Sequence, residues 1–162
     1  MKNLSRTFVI FLIIIHGISS LALCRNIKEV SFSLIKSITA ITEVFGDGQK
    51  VTTVAVEYDK DILNSKLSKS SFSVKGRTIT NVYANTIAIK AVQGNNGKYA
   101  IIELSPSDNE AAIFIQKGRT CSSIEAKVSV TQTGDIITTD EEKYPSNTKA
   151  LTNSKVVNLI VD

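Results

Sequence analysis

"ITEVFGDGQKVTTVAVEYD", residues Ile41 to Asp59, decides how the chain is read. Its centre, Gly46-Asp47-Gly48, is either a glycine-rich loop that cradles an anion or the corner where the chain reverses. The flanks choose between these. Val54, Val56 and Tyr58 alternate with Ala55 and Glu57, the period of a strand with one buried face and one wet face. Upstream, Thr39, Ile41, Thr42 and Val44 are β-branched, as strands prefer. A phosphate loop of the G-x-x-x-x-G-K-[ST] type needs its own glycine spacing and a following helix, and neither is present. Gly46 and Gly48 therefore read as turn residues, and Asp47-Gly48 as a hairpin signal.

The pattern repeats outward. Ala126, Val128 and Val130 alternate with Glu125, Lys127, Ser129 and Thr131. Asn96-Gly97 separates "TIAIKAVQ" from "KYAIIELS" and reads as a second hairpin turn. Further breaks fall at Gly76, Pro106 to Asn109, Gly118 and Gly134-Asp135. Only Asp61 to Ser70 suggests a helical turn or a crossing between sheets. Residues 138–155 are polar and read as loop, and "VVNLIVD" reads as a last strand. About seven or eight short strands with few helices predict an all-β, immunoglobulin-like β-sandwich. The chain contains no Trp, so the antibody-type core is absent. "KGRT" occurs at Lys75–Thr78 and at Lys117–Thr120. Because the flanks do not match, it reads as two basic turns rather than a repeat.

The chain has 162 residues, 43% hydrophobic and 21% charged, which fits one domain able to bury a core without metals or disulfides. Its start differs from the rest. Lys2 and Arg6 precede the apolar run "TFVIFLIIIHGISSLA", the layout of a cleaved signal peptide. Ser20 and Ala22 supply the small residues needed just before the cut, so the expected division is signal peptide 1–22, N-terminal segment 23–36 and sandwich 37–162. The apolar run falls short of the roughly 20 residues of a membrane span. Membrane attachment would require either a retained signal or a lipid on Cys24, and Leu23 stands where a lipoprotein signal needs a small residue. The expected location is secreted, periplasmic or extracellular. Loss of Lys2 and Arg6 leaves 17 basic residues against 15 acidic ones. That balance lacks the clustered cations of a nucleic-acid footprint.

Chemistry is scarce. The sole histidine, His16, lies in the signal segment. The exported chain would own no imidazole, which removes Ser-His-Asp and Cys-His catalysis and His-containing metal sites. No G-x-S-x-G elbow occurs; "GRTCS", Gly118 to Ser122, lacks its central Ser and final Gly. Cys121 reads as a strand-edge thiol beside Arg119, with pairing to Cys24 left open. Asp59 with Asp61, and Asp140-Glu141-Glu142, are carboxylate groups without EF-hand order. The aromatics are dispersed over separate strands, and a sugar-binding platform would need several on one face. The expected catalytic, cofactor and metal residues are accordingly none.

"ITAITEVFGDGQKVTTVAVEYDKDI", "SFSVKGRTITNVYANT", "GKYAIIELS" and "KVVNLIVD" resemble the N-terminal immunoglobulin-like domain of secreted bacterial esterases of the α/β-hydrolase class. The resemblance spans about Ser37 to Asp162. It implies an accessory sandwich that packs on a following hydrolase domain, where the nucleophile, acid and histidine reside. The present chain stops at "NLIVD", where the linker would begin, so no catalytic residue is carried over. The expected role is a non-catalytic interaction domain. Its partners would be a hydrolase domain or a second copy, met through edge strands such as "KVVNLIVD". The alternatives are part of an esterase whose hydrolase domain is missing from this chain, and an adhesion module for extracellular carbohydrate.

Overall fold

The computed structural model describes residues 34–159. Residues 1–33, with the expected signal peptide, His16 and Cys24, and residues 160–162 fall outside the described residues. Twelve strands follow one another among the described residues: β1 (Ile35–Phe45), β2 (Gly48–Ile62), β3 (Phe72–Val74), β4 (Ile79–Asn85), β5 (Gly97–Leu104), β6 (Phe114–Lys117), β7 (Thr120–Ser123), β8 (Ser129–Gln132), β9 (Ile136–Ile137), β10 (Lys143–Tyr144), β11 (Leu151–Thr152) and β12 (Lys155–Asn158). Asp61 to Ser70 holds two single 3-10 turns, Asn64–Lys66 and Lys69–Ser71, at the crossing from β2 to β3.

A five-stranded sheet, β12-β1-β2-β5-β4, faces a three-stranded sheet, β11-β8-β3. This is an immunoglobulin-like sandwich. The β1–β2 hairpin turns at Gly46-Asp47-Gly48, with Phe45 paired to Gly48. Gly48 has φ +123°, a conformation open to glycine but strained for other residues. Along β2, Val54, Val56 and Tyr58 point into the core between the sheets, where they meet Phe72, Val74, Val130 and Ile102. A bulge shifts the register between Ile41 and Thr42, and both Thr52 and Thr53 are buried there.

The opposite face of the large sheet departs from the sequence expectation of a wet side. Ile41, Ala55, Tyr83 and Ile101 form a second buried cluster there, covered by Ala88, Ala91, Tyr99 and Leu159. Ala88 and Ala91 of this cover come from residues 86–96, which the alternation in "TIAIKAVQ" suggests to be a strand. The strand that pairs with β5 is instead β4, with Asn85 opposite Tyr99. Where the chain returns to the sheet, Gly97 is buried against the Asn85 carbonyl, and a Cβ there would approach it to 2.3 Å. The Asn96-Gly97 turn is therefore the return of a long excursion, not a tight hairpin.

A buried polar hub joins the sheets. The Tyr58 hydroxyl donates to Gln132 Oε1 at 2.8 Å. Gln132 Nε2 in turn donates to the carbonyls of Gly134, Tyr144 and Pro145 at 3.0–3.1 Å. Tyr144 stacks on Tyr58, with ring centroids 6.0 Å apart, and donates to Asp59 at 2.7 Å. Burial pushes both tyrosine hydroxyls well above their usual ionisation range. The polar stretch read as loop is thus tied down at Tyr144.

Two outcomes follow for stability. Gly46 has nothing within 4 Å of an added Cβ, so Gly46→Ala should stay within about 0.5 kcal/mol of wild type, whereas Gly48→Ala should cost about 1–3 kcal/mol in urea unfolding. Gln132→Ala strands the Tyr58 hydroxyl and the Tyr144 carbonyl, and should cost about 3 kcal/mol. An unchanged midpoint for Gln132→Ala would mean that water substitutes for the amide.

Candidate interaction surfaces

The residues singled out for chemistry are dispersed by the fold. Asp47 pairs with Lys50 at 2.7 Å, and Lys50 lies over the Phe45 ring at 5.4 Å. The Lys50 ammonium holds the Asp47 carboxyl below the usual carboxylate range. No helix begins at the turn, so its amides do not converge on an anion site. Cys121 is a free, exposed thiol on β7, opposite Gln116 of β6. Ser37 donates to Glu57 at 2.6 Å, a cross-strand pair between β1 and β2 without an imidazole.

The carboxylates are occupied by a cation of the chain's own. Lys60 Nζ sits between Asp140 at 2.7 Å and Glu142 at 2.6 Å. The ammonium lowers the Asp140 pKa to about 2, and the two carboxylates raise that of Lys60. Asp59 is bound by Tyr144. Among the described residues, no group of three or more His, Cys, Asp or Glu is arranged to hold a metal ion. The aromatics are also spent: Tyr58, Phe72, Tyr83 and Tyr144 are buried. Phe114 is the one exposed aromatic among the described residues, so they present no sugar platform.

Both "KGRT" segments are turns, with Gly76 at φ +69° and Gly118 at φ +61°. Their arginines differ completely. Arg77 is buried and donates to Asp108 at 3.1 Å, to the Val51 carbonyl at 2.7 Å and to the Ser105 carbonyl at 3.1 Å. Arg119 is exposed. Nothing in the two identical tetrapeptides distinguishes them; the partners lie elsewhere in the chain.

Besides Val44 at the end of β1, exposed apolar side chains mark three places. The first is the 86–96 excursion, where Ile87 is 52% exposed, Ile89 41% and Val92 fully so. This loop is firmly anchored. The Ala91 N–H donates to the Tyr83 hydroxyl at 2.8 Å, Asn85 Nδ2 to the Ile89 carbonyl at 3.2 Å, and the Asn95 N–H to the Ala84 carbonyl at 2.9 Å. Lys90 pairs with Glu43 of β1 at 3.3 Å. The second place is the β6–β7 arm, with Phe114, Ile115 and the adjacent Ile124. An open groove of about 590 Å³ runs beneath it, between Val51, Ala112 and Ala126. The third is β12, which pairs in parallel with β1 and forms one edge of the large sheet.

Comparison with known families matches residues 37–145 to the esterase Ig-like N-terminal domain. The chain belongs to this family. A solved structure described as a thermostable esterase superposes with a TM-score of 0.69 at 31% identity, over 77% of this chain. The chain spans 36% of that esterase's length. No curated protein matches. In this family member the described residues are strands and single 3-10 turns, and no α/β-hydrolase unit lies among them.

Tyr83 connects the loop to the sheet, and its titration offers a handle. Burial, reinforced by the Glu103 carboxylate that its hydroxyl bonds at 3.0 Å, pushes its pKa up to about 12. A raised phenol pKa stabilises the fold fully below about pH 10, where the unfolded chain keeps its proton too. That contribution is lost as pH climbs from about 10 through 12. Tyr83→Phe should flatten this alkaline loss in urea titrations and, at neutral pH, speed Ala91 amide exchange about fivefold. Unaltered exchange at Ala91 would show that the hydroxyl does not hold the loop.

Proposed function

We propose that the chain is a secreted, non-catalytic accessory domain whose partner is the hydrolase domain of an esterase. The observation that carries this reading is the pairing of family membership with an absence. The described residues contain no histidine, the side chain most often used as the base in nucleophilic catalysis. Export rests on the layout of residues 1–22.

An accessory sandwich acts through surfaces rather than through a reacting atom. Its rigid sheets hold exposed groups at fixed positions, and apolar groups held in water favour burial against a second body. Purified protein from residue 23 onward should give no turnover of p-nitrophenyl acetate above buffer, and Cys121→Ser should change nothing. Turnover that disappears in Cys121→Ser would overturn the non-catalytic reading.

A further inference from the structure

The three exposed apolar places differ in how they relate to the end of the domain. β12 runs parallel to β1, with Val157 opposite Ile41. Ile41 belongs to the outer cluster, so Val157 shares that face, and Leu159 packs on the same cluster. The Leu159 N–H donates to the Thr42 carbonyl at 2.9 Å, which fixes the exit. The last described residue, Leu159, therefore lies against the outer face of the five-stranded sheet. Ile87, Ile89 and Val92 stand exposed on the loop that covers this same face.

The apolar side chains of the loop are not a by-product of mobility. Ala88 and Ala91 turn inward onto Ile41, Ala55, Tyr83 and Ile101, and the bonds to Tyr83, Asn85 and Ala84 hold the loop in place. The larger residues are thus held out in water by a fixed backbone, with Val157, 40% exposed, on the same face. Apolar side chains held exposed on one face in this way mark an interaction site. The family match concerns an N-terminal domain, so in such an esterase the remaining polypeptide follows the domain. A body that follows Leu159 is delivered to the outer face at high effective concentration, because the connection makes the contact intramolecular.

We infer that the outer face of the large sheet, formed by Ile87, Ile89 and Val92 of the 86–96 loop with Val157 of β12, is the docking surface for the hydrolase domain. The β6–β7 arm and the free edge of β12 are not used in this contact. The inference rests on the accessory-domain reading above and adds to it the face on which the partner sits.

The test fuses the full chain, at Asp162, to the part of the thermostable esterase outside the matched region. Hydroxyl-radical footprinting then compares the fused protein with the chain alone. Oxidation of Ile87, Ile89 and Val92 should fall about fivefold in the fusion, as at the water-excluded centre of an interface, while Phe114 and Ile115 stay reactive. Ile87→Lys with Val92→Lys should restore reactivity at Ile89. Protection at Phe114, Ile115 and Ile124 with an unprotected loop would overturn the surface and leave the accessory reading standing. No protection at any exposed side chain would overturn both. If the fusion does not fold, the two pieces are mixed and footprinted, and an unprotected loop counts against the surface in the same way.

Discussion

One amide, that of Gln132, links parts of the chain that nothing local would bring together. It accepts from Tyr58 on the large sheet and donates to carbonyls beyond its own strand, at Gly134, Tyr144 and Pro145. The two sheets are joined chiefly by non-directional burial of Val54, Val56, Phe72, Val74 and Val130. Such packing fixes volume but tolerates sliding. A satisfied buried hydrogen-bond network supplies the direction that packing lacks. Tyr144 completes it by stacking on Tyr58 and bonding Asp59, which turns a polar segment into part of the wall.

How much of this was legible follows from range. The β1–β2 hairpin was readable because its signal is local: β-branched runs on either side of Asp47-Gly48. The alternation of Ala126, Val128 and Val130 was readable for the same reason, and all three are buried. The 86–96 excursion was not. "TIAIKAVQ" alternates as a strand does, yet the competition for β5 was won by "ITNVYAN", and the sequence offers two partners without ranking them. The role of Tyr144 was hidden because its partners, Tyr58 and Asp59, lie far upstream. Arg77 was hidden behind a tetrapeptide that recurs as an exposed turn.

The scarcity of histidine was the easiest chemical feature to read, since it follows from counting one residue type. The surfaces were harder. Ile87, Ile89 and Val92 look like core residues in the sequence, and only the placement of Ala88 and Ala91 beneath them reveals that they face outward. Burial on both sides of the large sheet also explains why Ala55, expected on a wet face, is buried beside Val54 and Val56.

The parallel pairing of β12 with β1 has a consequence for synthesis. Thr42 bonds Asn158 across a separation of 116 residues, among the most distant contacts in the chain. A polypeptide made from its amino end presents β1 early and β12 last. Until the final residues emerge, the large sheet has four strands and β1 keeps a bare edge of unpaired amides and carbonyls. Contacts of such long range form late, and uncovered edges are where nascent β-proteins stick to one another. Completion of the sandwich is therefore tied to the emergence of β12, and the nascent domain remains vulnerable until that strand is in place.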